Sequence, residues 1–166
     1  MLSPPSQLTT VAAEEGKVLS IVGDTYRLVI TGKQTEGAYA IIDMLIPPGG
    51  GPGPHSHAEF QESFFVLDGE IELKTEAATI TASKGAFVNI PRGGMVHAFK
   101  NKSKAVAHVI CTVVPAGLEA FFEEIGQPVA AGMFLPPPKM DETTMQRLKT
   151  LAEKYGQTLF PPDYLK

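Results

Sequence analysis

Pro47-Pro48-Gly49-Gly50-Gly51-Pro52-Gly53-Pro54-His55-Ser56-His57 is followed, after Ala58-Glu59-Phe60-Gln61, by Glu62. The first eight of these residues are Pro and Gly alone, a composition that holds neither a helix nor a sheet ladder. They form a loop that delivers His55 in an extended state. In extended backbone, side chains two apart share a face, so His55 and His57 can reach one point. Glu62 opens the next strand, where a carboxylate can close on that point. His97, after the turn Pro91-Arg92-Gly93-Gly94, can add a third imidazole from across a barrel. Three neutral nitrogens and one carboxylate suit one divalent transition metal ion: Fe, Mn, Ni, Co, Cu or Zn.

On either side of this stretch the chain reads as short strands. Val18–Val22, Tyr26–Thr31 and Ala38–Ile46 precede it, rich in β-branched residues and broken by Gly23-Asp24 and Gly32. Glu62–Asp68 follows, with Asp68-Gly69 suited to a tight hairpin into the alternating Glu70–Lys74. Ala78–Ala82, Ala86–Ile90, Val96–Asn101 and Ala105–Val113 complete the series. Strands spaced by about 8–12 residues with turn signals between them predict a sandwich or barrel. Past Pro115 the period becomes helical, with Leu118, Phe121, Phe122 and Ile125 stopped by Gly126. A second helix runs from an Asp141 N-cap through Met145, Leu148 and Leu151 to Gly156. These helices are expected to cover a sheet face or a barrel end; an active-site lid is the alternative.

Two spaced patterns now stand out. Gly49-x5-His55-x-His57-x4-Glu62-x6-Gly69 resembles the first cupin motif, and Gly85-x5-Pro91-x-Gly93-x2-His97-x3-Asn101 resembles the second. The 15 residues between Gly69 and Gly85 are similar to the spacing in small bacterial cupins. The resemblance implies an all-β fold, a double-stranded β-helix (jelly-roll) barrel with a short C-terminal helical extension. It implies one domain over residues 1–166, with a barrel core at about 18–115 and an extension at about 116–166. It also implies His55, His57, Glu62 and His97 as the metal ligands.

A finer likeness is carried by Pro52–His57, Glu62–Glu70 and the tail Ala152–Gly156, which resemble small quercetinase-like cupins. That likeness implies an oxygen-dependent dioxygenase acting on a small aromatic or enolic substrate, with Glu62 both ligand and catalytic proton acceptor. A metal-dependent isomerase, lyase or decarboxylase, or a non-catalytic binding protein, would use the same ligand set.

Other residues read more plainly. Glu59 could share the face of His57 if that strand ran on, but it lacks the motif spacing and reads as a loop carboxylate. His108, in the alternating Val106–Thr112 run, reads as a satisfied strand histidine, and Arg92 as a turn residue. Phe64, Val66 and Phe99 share faces with Glu62 and His97, so they are expected to form an apolar wall around the metal suited to an aromatic ligand, or simply the barrel core, or both.

The composition agrees. The 166 residues hold 16 Gly and 14 Pro but only 19% charged residues, a turn-rich chain poor in charge. A net charge of −4 with no basic run excludes a nucleic-acid footprint. The single cysteine, Cys111, excludes an intrachain disulfide or a cysteine-built zinc site and reads as a small buried hydrophobe. The apolar runs are far shorter than the roughly 18 residues of a membrane span. No secretory signal is read at Met1–Pro5, so a cytoplasmic location is expected. Phe65 and Leu67, opposite Glu62 on their strand, leave an apolar face that a homodimer partner could cover.

Overall fold

Alternation sets the two central strands. In a computed structural model describing residues 7–166, β3 (Ala40–Ile46) and β10 (Ala107–Val114) bury every second side chain and pair antiparallel along their length. The ragged start read at residues 1–6 lies outside the described residues. Around this pair form β1 (Lys17–Ile21), β2 (Asp24–Ile30), β5 (Gln61–Asp68) and β8 (Phe87–Ile90). With the two-residue β11 (Gln127–Pro128) they make a seven-stranded sheet of order β11-β1-β2-β3-β10-β5-β8. A five-stranded sheet faces it, formed by β4 (His55–His57), β6 (Glu70–Thr75), β7 (Thr79–Ser83), β9 (His97–Lys100) and β12 (Gln157–Leu159). Its order is β12-β4-β9-β6-β7. The expected double-sheet β-barrel is the fold, and its core lies between the sheets, with Ile42, Met44, Phe64, Ile71 and Val109 among the buried side chains.

Asp68-Gly69 does not close the hairpin read from the sequence. β5 pairs with β10 and β8, whereas β6 pairs with β7 and β9, so the chain crosses here from one sheet to the other. Gly69 has φ 74°, and a Cβ on it would stand 3.0 Å from Ala107 Cα and Val106 O. The glycine therefore serves a close crossing over the start of β10.

The Pro/Gly loop is pinned rather than loose. The Gly49 N–H donates to Asn101 O at 2.7 Å, the Asn101 N–H to Gly50 O at 3.0 Å, and Lys100 Nζ to Gly51 O at 2.7 Å. Asn101, fully buried, also donates through Nδ2 to Ile46 O and Ala105 O. The last residue of the second motif thus ties down the loop that opens the first. Gly51 has φ 109°, and a Cβ there would meet Phe99 O at 2.3 Å, so no side chain fits.

Both helices form where the apolar period places them. α1 (Leu118–Ile125) buries Leu118, Phe121 and Phe122, and Phe122 meets Tyr26 edge-on at 5.1 Å between centroids. α2 (Glu142–Lys154) starts at Asp141, whose carboxylate accepts from the Thr144 N–H at 2.9 Å. Lys154 and Tyr155 both donate to Glu124 of α1, and Gly156, at φ 78°, turns the chain into β12. The extension is therefore not only helical: β11 and β12 return to extend one sheet each.

Candidate metal centre and cavity

β4, β5 and β9 bring the four motif residues together. His55 and His57 project from β4 and His97 from β9, directly opposite His55 in the ladder. Glu62 enters from β5 of the facing sheet. One donor atom from each of the four lies within 4.8 Å of the other three. All four are buried, His97 completely.

The hydrogen bonds decide which imidazole nitrogens face inward. His55 Nδ1 lies 2.8 Å from Gly53 O, His57 Nδ1 2.9 Å from Phe60 O, and His97 Nδ1 2.9 Å from Met95 O. A carbonyl only accepts, so each Nδ1 is the donor and, in a neutral ring, each Nε2 presents a lone pair. His97 Nε2 is buried without a hydrogen-bond partner. His57 Nε2 stands 3.2 Å and His97 Nε2 3.8 Å from Glu62 Oε2. Inward lone pairs and a carboxylate repel one another unless a cation sits among them. The residues fit a divalent metal ion through His55, His57, His97 and Glu62, with each imidazole held by its own backbone carbonyl.

The electrostatics agree. Burial, with the field of His97 added, lowers the His55 pKa to about 4, so the ring is neutral and ready to donate. Burial would raise Glu62, but the close His57 and His97 rings and the field of His55 outweigh it. They hold the carboxyl well below the usual range.

Two supports of this cluster were not legible as such in the sequence. Cys111 is buried, as expected, but its thiol also donates to Glu62 Oε1 at 3.2 Å from β10. Burial, and then the Glu62 charge, push that thiol well above its usual pKa, so it is a neutral donor. Phe60 stacks on His57 with centroids 4.1 Å apart and planes 12° apart. The other candidates stay outside: Glu59 and Arg92 are exposed, and His108 pairs with Asp43 at 2.6 Å.

Beside the cluster opens a cavity of about 950 Å³ reached by His55 and Glu62. The expected side chains divide between its wall and the core. Phe99 lines it, but Phe64 and Val66 face inward only to pack in the core, Phe64 against Phe99 at 5.2 Å. Tyr26, Met44, Phe121, Phe122, Phe134 and Leu159 line the cavity instead. A second buried carboxylate of the wall, Asp24, accepts from Tyr26 OH at 3.0 Å and the Gly51 N–H at 3.2 Å. Burial raises its pKa to about 6 despite both bonds.

Residues 42–113, the segment that contains all four clustered side chains, match the Cupin domain family model Cupin_2. This chain carries a cupin domain. Over 125 residues it is 26% identical to quercetin 2,3-dioxygenase of Bacillus subtilis, covering 75% of this chain. The match spans 36% of that protein, about a third of its length. Among solved structures, a predicted oxalate decarboxylase from Thermotoga maritima superposes with a TM-score of 0.59 at 15% identity, over 64% of this chain and 99% of that one. Ectoine synthase from P. lautus gives 0.53 at 14% identity, over 82% and 99%. At such identities these two likenesses show the cupin fold alone. Among the described residues no helix is long and apolar enough to cross a membrane.

Proposed function

We propose that this cupin is a metal-dependent dioxygenase acting on a small aromatic or enolic substrate, with residues 1–166 forming one domain in the cytoplasm. The observation that carries the proposal is the meeting of a buried three-histidine, one-glutamate cluster with an apolar cavity of about 950 Å³. That volume lies at the upper end of pockets that enclose a drug-sized ligand, roughly 300–1,000 Å³. The sequence likeness to quercetin 2,3-dioxygenase supports the same substrate class.

His55, His57, His97 and Glu62 would hold the ion. When bound, it supplies Lewis acidity that lowers the pKa of an enolic or phenolic hydroxyl. Glu62, the one carboxylate of the cluster, is the proton acceptor, and its Oε1 is steadied by the Cys111 thiol. Phe99, Tyr26 and Phe122 flank the ligand and exclude water. The mostly apolar wall favours this chemistry over turnover of a sugar phosphate, which needs several free cations. Of the three lysines on the lining, Lys100 is bonded to Gly51 O and Lys102 is paired with Glu72 at 2.6 Å, which leaves Lys74 as the one free cation among the described residues of the wall. Phe65 and Phe87, paired across β5 and β8 and both exposed, are the surface we assign to a homodimer, to be checked by light scattering.

Oxygen consumption with quercetin tests the activity, on protein reconstituted separately with Fe, Mn, Co and Ni. Uptake with at least one metal is expected. No uptake with any of them overturns the flavonol assignment.

A further inference from the structure

β12 places one buried polar side chain next to the metal-bearing strand. In the antiparallel ladder Gln157 stands opposite His57, Thr158 opposite Ser56, and Leu159 opposite His55. Cross-strand partners project to the same face. Gln157 and Leu159 therefore point with the two histidines into the barrel, and Thr158 is exposed on the other side. Gln157 is only 6% exposed, belongs to the cavity wall, and its Nε2 has no hydrogen-bond partner. An unpaired buried amide destabilises a fold, and a leucine of similar length would not.

The other buried polar groups of that wall are engaged. Asp24 is held by Tyr26 and Gly51, Glu62 by the Cys111 thiol, and His55 by Gly53 O. The amide is also deliberately presented. Lys154 and Tyr155 fix the end of α2 on Glu124, Gly156 turns the chain, and the Phe160 N–H closes the strand on Pro54 O at 3.0 Å.

We infer that Gln157 is the specificity-determining polar contact of the cavity, its side-chain amide donating to a carbonyl or ionised hydroxyl oxygen of a ligand seated in the space that His55 and Glu62 reach. The inference rests on the proposal that the cavity takes a small aromatic ligand. It locates selection in a part of the chain outside residues 42–113, which match the family model.

The test compares wild type with Gln157→Leu, both loaded with redox-inert Zn, using quercetin without oxygen as the probe. Three quantities are measured: zinc per chain, melting temperature, and the quercetin Kd. The expected result is equal zinc content, a melting temperature unchanged or higher by about 2 °C, and a Kd weaker by about tenfold or more. A Kd within twofold of wild type overturns the inference. So does a melting temperature lowered by several degrees, which would mean that the amide has a structural partner. If wild type fails to bind quercetin, the aromatic proposal for the site falls, and the melting temperature of Gln157→Leu still decides whether the amide is kept at a cost to stability.

Discussion

The metal cluster and the cavity wall above it are built on opposite plans. In the cluster every imidazole is braced by a backbone carbonyl within three residues of it, and the four residues come from a stretch of 43 positions, 55–97. The cavity wall is gathered from β2, β3, β9, α1 and the C-terminal segment, and at Gln157 it leaves an amide nitrogen unpaired. The difference teaches that local bracing fixes the chemistry, whereas distant packing fixes what can enter. A change in the cluster should abolish metal binding and spare the fold. A change in the wall should alter stability or selection and spare the metal.

The largest effect is expected at the cluster. His57→Ala or His97→Ala should reduce metal content by elemental analysis to background, with the far-ultraviolet circular dichroism unchanged. Metal retained at the wild-type level in His97→Ala would remove that residue from the ligand set.

Next comes the wall. Phe122→Ala deletes a ring packed on Tyr26 in the core, and chemical denaturation should show a loss of about 3–5 kcal/mol. Metal stoichiometry should stay the same. Lys149→Ala, at an exposed position of α2, should stay within about 0.5 kcal/mol. If Phe122→Ala were equally mild, α1 would be an attachment to the barrel rather than part of its core.

Asp24 gives a pH signature separate from the cluster. Its folded pKa of about 6 lies above its ordinary 3.8 because of burial, so the folded state takes up the proton first as pH falls. The resulting stability is fully present below pH 3.8 and lost as pH rises through 6. Asp24→Asn keeps an acceptor for Gly51 and removes the titration. Relative to that variant, metal-free wild type should gain about 2 kcal/mol between pH 6 and pH 4. A flat difference would mean that Asp24 is hydrated rather than buried.

The smallest effect is expected at Cys111. Cys111→Ala removes a neutral thiol donor from Glu62 Oε1, and outer partners of metal ligands are worth about 10–100-fold in affinity. A weak S–H donor belongs at the low end, near tenfold, measured by competition with a chromogenic chelator. A loss as large as that of His97→Ala would make Cys111 a ligand itself.

The fold and the cluster were legible because their signals are local. His55 and His57 sit two apart behind a run of Pro and Gly, and Glu62 and His97 follow at motif spacing. Alternation marked β3, β5, β6 and β10 to within a few residues. What stayed hidden depends on which strands become neighbours. Asp68-Gly69 looks the same whether the chain doubles back or crosses between sheets. The contact of Cys111 with Glu62 joins β10 to β5 across 49 positions. Phe64 and Val66 point inward as the period of two requires, yet whether an inward side chain meets core or cavity depends on the opposite sheet. β12 is three residues long, too short to show a period, so nothing in the sequence marks Gln157.

The central claim is that His55, His57, His97 and Glu62 together hold one divalent metal ion. X-ray absorption spectroscopy of the zinc-reconstituted protein tests it most directly. The expected spectrum shows nitrogen and oxygen scatterers at about 2.0–2.2 Å, with the outer-sphere pattern of three imidazoles and no sulfur. A sulfur scatterer at about 2.3 Å, or the pattern of fewer than three imidazoles, would contradict it.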